Sequence, residues 1–357
     1  MRKIVLTGGG TGGHVIPNIS LLPLLRGLYD EIYYIGTNGI EKEIVGKEKD
    51  VKFYEFTAFK FNRSKKLKNI TLPFNLLSSV CKVKKILKEI KPDVVFSKGG
   101  YVALPVCIAS FTLHIPIVSH ESDLSIGLAN KLIYKLSTVF CTTFKQTSDN
   151  LKKAVYTGAP IRESLLRGDK EKGYKLTGFD GTRPIILVTG GSTGASDLNE
   201  IIYKSLPIIT KKYDIIHLTG KNKSKNISFN HYKQMEYCHE IEHLFKIADI
   251  VISRAGSGAI YELLSLKKCM ILVPLPKGNS RGDQVENAKY FEKMGYAKVL
   301  FQENITPEIL NETIDSIYKN RDKYTTTMSQ FSLGEKFDGA KNIVAEIKKV
   351  TKNANFL

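Results

Sequence analysis

Short runs of β-branched and aliphatic residues alternate along the chain with longer stretches whose apolar positions recur at helical spacing. In the first half, Ile4–Thr7, Ile32–Ile35, Val94–Ser97, Ile117–His120, Val139–Thr142 and Val155–Thr157 predict strands. Helical pattern lies between most of them, notably near Val15–Leu28 and Leu128–Leu136. Past residue 183 the pattern restarts. Ile185–Thr189, Ile215–Thr219, Ile250–Ser253 and Met270–Pro274 predict buried strands, and helices are expected near Leu198–Thr210, Ile241–Ala248, Ala259–Leu266 and Val285–Met294. Apolar strands separated by helices belong to parallel sheets with right-handed crossovers. The expected fold class is therefore α/β, with two doubly wound, Rossmann-like domains facing across a cleft. Residues 1–163 make the N-terminal domain and 164–340 the C-terminal one; a last helix, about 341–357, can pack back on the first. The stretch Arg167–Arg183 is rich in Gly, Lys and Asp, carries no strand pattern, and is the expected linker.

Both halves open alike. Thr7-Gly8-Gly9-Gly10-Thr11-Gly12-Gly13 follows the first expected strand, and Thr189-Gly190-Gly191-Ser192-Thr193-Gly194 follows the seventh. Gly8, Gly10 and Gly13 match G-x-G-x-x-G, the dinucleotide fingerprint. That fingerprint also wants an acid at the end of the second strand to hold a ribose, where this chain reads Gly36-Thr37-Asn38. A nicotinamide cofactor is thus disfavoured, and none is expected. The loop still presents backbone N–H groups at a helix N-terminus, which suits pyrophosphate or another anion; a tight turn without ligand is the plain alternative. His14 follows directly and is a candidate general base, or else a capping or core histidine. Ser97-Lys98-Gly99-Gly100-Tyr101 and His120-Glu121-Ser122-Asp123 end two further strands. Ser253-Arg254-Ala255-Gly256-Ser257-Gly258 opens a helix in which Glu262 comes a turn later, where a carboxylate can accept bonds from ribose hydroxyls. Arg281-Gly282-Asp283-Gln284 and Asn287 open another. Helix capping is the bland reading of each.

The chain of 357 residues carries a net charge of +18, which favours an anionic partner: nucleic acid, an anionic membrane surface or a phosphorylated substrate. RNA-recognition and zinc-finger signatures are absent, so nucleic acid is not expected. Five scattered cysteines without a C-x-x-C suit a reducing compartment. No signal peptide is read at the N-terminus, and the longest apolar stretch, Val102–Val118, is interrupted by Pro105, His114 and Pro116. His239-Glu240-Ile241-Glu242-His243 spells H-E-x-x-H, but no third ligand pattern follows, and zinc catalysis is not expected. Between residues 60 and 85, Lys65, Lys66 and Lys84 interleave with Phe74, Leu76 and Leu77. A basic rim around apolar residues suits an anionic bilayer, each lysine adding on the order of 1 kcal/mol. The alternative is a helix packed on its own domain with a solvated lysine face.

From Gly8 to about residue 340 the chain resembles the MurG family, UDP-N-acetylglucosamine transferases acting on undecaprenyl-pyrophosphoryl-muramoyl-pentapeptide. The resemblance rests on Gly8–Pro17, Ser97–Pro105, His120–Lys131, Thr157–Arg162, Gly190–Ala195, Ser253–Glu262 and Arg281–Ala288, in that order. It implies a GT-B fold and an inverting transfer of N-acetylglucosamine from UDP to the muramoyl 4-hydroxyl, at the cytoplasmic face of a bacterial membrane. It implies His14 as base. It puts Gly9, Gly10, Thr11, Gly99, Gly100, Tyr101, His120, Glu121 and Asp123 on the acceptor side. Thr11, Gly12, Gly13, Arg162, Ser192, Ser257, Gly258, Glu262, Asp283 and Gln284 fall on the donor side, with Tyr237 and Cys238 at the uracil. Ser122-Asp123, Thr193 and Asp283 depart from the pattern of the best-known members. No Asp-x-Asp triplet occurs, so no obligatory metal is expected. Two rivals share the fold: a glycosyltransferase with another lipid acceptor, and a UDP-N-acetylglucosamine 2-epimerase. A scaffold that binds the lipid precursor without donor chemistry is the non-enzymatic one.

Overall fold

The computed structural model describes residues 1–59, 71–191, 194–276, 282–334 and 338–354. The chain divides into two compact units, Met1–Ile161 with Lys336–Leu357, and Arg162–Glu335. The first unit runs β1 Lys3–Thr7, α1 Gly12–Leu25, β2 Glu31–Gly36, α2 Ile40–Val45, β3 Val51–Glu55, α3 Leu72–Ile90, β4 Val94–Ser97, α4 Ala103–Thr112, β5 Ile117–Glu121, α5 Leu128–Leu136, β6 Val139–Thr142, α6 Lys145–Asp149 and β7 Ala154–Tyr156. Its described strands form a parallel sheet in the order β3-β2-β1-β4-β5-β6-β7.

The second unit carries α7 Lys170–Thr177, β8 Ile185–Thr189, α8 Ser196–Ile209, β9 Asp214–Leu218, β10 Tyr232–Met235, α9 Ile241–Ile247, β11 Ile250–Ser253, α10 Ser257–Ser265, β12 Cys269–Leu272, α11 Asp283–Lys293, β13 Ala297–Val299, α12 Pro307–Lys319 and α13 Arg321–Gly334. Its described strands are parallel too, in the order β10-β9-β8-β11-β12-β13. The chain then returns as α14 Gly339–Ala354, which belongs to the first unit.

Strand alternation explains why each sheet is covered on both faces. On β1, Ile4 and Leu6 point to one side, where Val15 and Leu22 of α1 meet Ile343 and Ile347 of α14. Val5 points to the other, against Val83 and Leu87 of α3 and Val106 of α4. In the second unit Ile186, Val188 and Ile252 pack against Leu198 and Ile202 of α8 and Ile314 of α12. Each such side chain contributes roughly 1.5–3 kcal/mol by leaving water. The return helix is also pinned by polar bonds: Asn342 Nδ2 donates to the Thr157 carbonyl at 2.9 Å, and the Tyr29 and Thr351 hydroxyls lie 2.7 Å apart.

Strand order reverses beside β1 in the first sheet and beside β8 in the second. There Thr7 pairs with Ser97, and Thr189 with Ser253. These switch points put the loops after β1 and β4 side by side, and likewise those after β8 and β11, where such sheets bind ligands.

Two expectations change. The strands β3, β10 and β13 are not among those expected from the sequence; each lies at a sheet edge, is short and part-exposed, and so carries little apolar pattern. The expected linker is no linker. It holds α7, started by Asp169, whose carboxylate accepts the Lys172 N–H at 2.9 Å and whose own N–H donates to His243 Nδ1 at 2.9 Å. Gly173 is there because a Cβ would stand 2.5 Å from the His243 carbonyl and 2.8 Å from Ile247 Cγ2. Its glycine and charge content reflect close packing of one helix face and solvation of the other. Gly173→Ala is therefore expected to destabilise the second unit by about 1–3 kcal/mol through overpacking, read as a lower urea midpoint. A linker glycine would leave that midpoint unchanged.

Candidate functional site

Two clusters of strand-end loops carry the polar chemistry, one in each unit. In the first, the chain leaves β1 through Gly8, Gly9 and Gly10 and enters α1 at Gly12. Gly10 has φ +81°, and a Cβ on it would stand 2.5 Å from the Tyr101 ring. The loop is tied down by Glu41, fully buried in α2. Its carboxylate accepts the Gly10 N–H at 3.2 Å, the Thr37 N–H at 3.0 Å and the Thr37 hydroxyl. An acid does serve this loop, but it comes from the helix after β2 and binds backbone. Thr11 caps α1 without a side-chain bond, and Thr11 and Gly13 are exposed while Gly12 is buried. His14, half-buried, sets its Nδ1 3.0 Å from the Thr11 hydroxyl. A Cβ on Gly100 would lie 3.3 Å from that nitrogen, so His14, Gly10, Gly100 and Tyr101 share one locality.

Beneath the second loop lies a buried cluster. Gly99 has φ +91° and passes so close to Asn130 that a Cβ would overlap its amide. Lys98 is buried and donates its ammonium to the Ser122 hydroxyl. Burial pushes its pKa down to about 8, against the pull of Glu121 and Asp123. Glu121 is itself buried and accepts the N–H groups of Asp123 and Gly127, both at 3.0 Å, and the Asn130 amide at 2.9 Å. Burial raises its pKa, Asp123 adds to the rise, and Lys98 opposes it. His120, fully buried, has Nε2 3.2 Å from the Gly158 carbonyl, and burial and then Lys98 hold it neutral. His120 and Glu121 thus lie under the loops and shape them through backbone contacts. Asp123 is half-buried at their edge.

In the second unit, Arg162 grips Glu262 with two bonds, Nε to Oε1 at 2.8 Å and Nη2 to Oε2 at 3.0 Å. Burial lowers the Arg162 pKa, and Glu262 overcomes this to raise it. Glu262 lies in the second turn of α10. That helix begins at Gly256 without a side-chain cap; Ser257 is buried, and nothing stands within 4 Å of a Cβ on Gly258. Arg254 ties this loop to its neighbours: Nη1 donates to the Val273 carbonyl at 3.1 Å and Nη2 to Gln302 Oε1 at 2.8 Å. Gln284, in the first turn of α11 beside Asp283, accepts the Leu275 N–H at 3.1 Å. Tyr237 is exposed and meets His239 edge-on at 4.8 Å, with half-buried Cys238 next in the chain. Ser192 lies outside the described residues, as does Thr193. Among the described residues no group of three or more His, Cys, Asp or Glu side chains could hold a metal ion. In the H-E-x-x-H stretch His239 precedes α9, while His243 is buried with Nδ1 on the Asp169 N–H, so the two are not one helical turn apart on a shared face.

Sequence reading missed Glu41 as a site-building residue and took Lys98, Asn130 and Arg254 only as members of longer motifs. Lys98 was legible as an isolated lysine between a buried strand and two glycines. Glu41 sits in a polar stretch with no such signal.

Residues 4–141 match the glycosyltransferase family 28 N-terminal domain, and 185–346 its C-terminal domain. A protein of Clostridium botulinum is 47% identical over 358 residues, covering 99% of this chain and all of the relative. One of Geobacillus thermodenitrificans is 45% identical over 335 residues, covering 92% and 94%. Both are named UDP-N-acetylglucosamine–N-acetylmuramyl-(pentapeptide) pyrophosphoryl-undecaprenol N-acetylglucosamine transferase. This chain belongs to that family, the MurG glycosyltransferases. The crystal structure of Acinetobacter baumannii MurG superposes with a TM-score of 0.75 at 23% identity, covering 98% of this chain and all of that one. A Neisseria meningitidis UDP-GlcNAc 2-epimerase bound to UDP-GlcNAc gives 0.70 at 15%, covering 98% and 100%, and shares the fold alone. MurG chains are UDP-sugar-dependent hexosyltransferases of the GT-B type.

The buried ammonium gives the first site a pH signature. Its folded pKa lies below the ordinary value of 10.5, so the folded state binds fewer protons than the unfolded one from about pH 8 to 10.5. Stability contributed by this group rises through that window, by at most about 1.4 kcal/mol per pH unit. Lys98→Met is expected to lose that rise, so its urea midpoint falls relative to wild type between pH 8 and 10. Parallel curves would mean Lys98 is not buried as a titrating ammonium.

Proposed function

We propose that the MurG reaction is divided here between the two loop clusters, with the acceptor on the first unit and the donor mainly on the second, Thr11, Gly12 and Gly13 being the donor residues that the first unit supplies. The reaction transfers N-acetylglucosamine from UDP-N-acetylglucosamine to the 4-hydroxyl of undecaprenyl-pyrophosphoryl-N-acetylmuramoyl-pentapeptide, turning lipid I into lipid II in peptidoglycan synthesis. Full-length identity of 47% to a transferase of that name is the observation that carries it.

The acceptor hydroxyl attacks the anomeric carbon in line, UDP leaves, and an α-linked donor gives a β-linked product. His14 takes the proton. A ring that donates Nδ1–H to Thr11 carries its lone pair on Nε2, the tautomer a base needs. Charge develops on the leaving diphosphate. Helix N-termini and Arg162 supply the positive potential it needs, and Glu262 takes the ribose hydroxyls. Ser192, Ser257 and Gly258 meet the diphosphate, Asp283 and Gln284 the sugar, Tyr237 and Cys238 the uracil. Gly9, Gly10, Gly99, Gly100 and Tyr101 cradle the lipid pyrophosphate and muramoyl sugar. No metal takes part.

The first unit rests on the cytoplasmic face of the membrane as a peripheral protein. Phe74 and Leu77, one turn apart on α3, are 76% and 62% exposed. The packed helices α4 and α5 add exposed Phe111, Leu128 and Leu132, and Lys84 is half-buried. Leu76 drops from the bilayer set, because it packs on the core with Val80 and Val83. Lys65 and Lys66 lie outside the described residues. No helix among the described residues is long and apolar enough to cross a membrane.

The test is transfer of labelled sugar to a short-chain lipid I analogue in EDTA, with an acceptor-free control. Lipid-linked disaccharide is expected; epimerised UDP-sugar without acceptor would replace this reading with the epimerase. His14→Ala should lower kcat by about a hundredfold or more and alter the acid limb of the pH profile. Near-normal turnover with an unchanged profile would remove His14 as base. Phe74→Ser with Leu77→Ser should weaken binding to anionic vesicles at least tenfold while the short-chain assay holds. Undiminished vesicle binding would move the membrane contact elsewhere.

A further inference from the structure

The second unit holds a cavity of about 550 Å³ away from its glycine loops. Ile185, the first residue of β8, and Asp249, just before β11, line it. It therefore opens at the N-terminal edge of the sheet, whereas Gly190, Gly191 and the Ser253–Gly258 loop follow the C-terminal ends of those same strands. Four cations line it: Lys170, Arg183, Lys246 and Lys268. Local pairing offsets one of them, and one acid of the lining is held on backbone. Arg183 sits 3.6 Å from Asp214 and donates to the Thr210 carbonyl, and Asp249 is committed to the Ile185 N–H at 2.8 Å. Lys170, Lys246 and Lys268 have no carboxylate within ion-pair distance among the described residues. Glu242 is the cavity's other acid, and its field also acts on Arg162.

Lys268 is the inner cation. Its ammonium donates to the Ala248 carbonyl at 2.7 Å and the Lys246 carbonyl at 3.4 Å, at the C-terminal end of α9. An ammonium has three donors, and these bonds use two. Burial pushes the Lys268 pKa down to about 8; Lys246, then Lys170, push the same way, while Asp249 and the Cys269 thiol oppose. A cavity of this volume is of small-molecule size. Four cations against two carboxylates leave the lining with an excess of positive charge that a multivalent anion stabilises, and exposed Leu166 beside Tyr174 adds apolar surface for a carbon skeleton.

We propose that this cavity is a second binding site, distinct from the donor loops, for a small phosphorylated molecule carrying at least two negative charges. Binding draws Lys268 into its charged form, so the Lys268 amine takes up a proton on binding near pH 8 and the ligand binds more tightly as pH falls toward 7.

The probe is inorganic pyrophosphate, titrated calorimetrically into the full-length chain with the donor site saturated by UDP. Besides any pyrophosphate held by the first unit's glycine loops, one binding event is expected to remain, identified by its dependence on Lys170 and Lys246. Lys170→Ala with Lys246→Ala, both exposed, should weaken it tenfold or more while leaving sugar transfer unchanged. Titration at pH 8 in two buffers of different ionisation enthalpy should show net proton uptake, and Lys268→Met should abolish it. Should Lys268→Met fail to fold, the exposed pair still decides the matter. No residual binding under UDP, or residual binding indifferent to the double substitution, would overturn the site. Binding without proton uptake would exclude Lys268 as its inner contact.

Discussion

A strand buried on both faces has its N–H and C=O groups paired sideways to neighbouring strands. The backbone donors it can offer a ligand lie past its end, and in a parallel sheet the C-terminal ends all fall on one side. The polar chemistry of both units follows from this constraint. The loops after β1, β4 and β5 supply one set of groups, and those after β8, β11 and β12 the other. Strand-order reversal then decides which loops are neighbours. Gly10 lies against Tyr101 because Thr7 pairs with Ser97. The loop that starts α10 borders the one that starts α8 because Ser253 pairs with Thr189.

Loops that must keep N–H groups open cannot be stabilised by satisfying those groups on one another. The chain supports them from below with buried charge. Glu41 carries the first glycine loop and Glu121 the turn at residues 122–127, while Arg254 joins the starts of two loops to Gln302. A buried charge is expensive unless every lone pair or proton is used. That explains why Glu121 collects three donors and why Lys98 stands beside two carboxylates. The Ser122-Asp123 pair has a local rationale: the serine accepts from Lys98, and the aspartate adds negative field around a buried ammonium.

The same physics sets what the sequence discloses. Val94–Ser97, Val139–Thr142, Ile185–Thr189 and Ile250–Ser253 match the expected bounds, because a strand covered on both faces is a near-continuous apolar run, here closed by a Ser or Thr where the loop begins. The edge strands Val51–Glu55, Tyr232–Met235 and Ala297–Val299 escape that demand and are not among the strands expected from the sequence. The stretch at 167–183 misled for the opposite reason: glycine there answers to a neighbouring helix, which composition does not reveal. Candidate residues on glycine turns stand out in the sequence because the turn marks them. Glu41 acts on a loop distant in sequence, which no spacing announces, and the motifs that contain Asn130 and Arg254 do not disclose their partners.

The Arg162–Glu262 pair joins two residues that the family resemblance gives separate tasks, phosphate for one and ribose for the other. The tasks are compatible. A carboxylate has about four lone-pair sites and a guanidinium five N–H groups, and the observed pairing uses two of each. Glu262 keeps acceptor capacity for a vicinal diol, and three guanidinium donors remain for phosphate oxygens. Bidentate geometry fixes both planes at once, so the carboxylate is oriented before any ligand arrives and its side-chain entropy is already lost. Lysine at 162 would keep the charge and lose the fork. The pair is better understood as one preorganised recognition element than as two independent contacts.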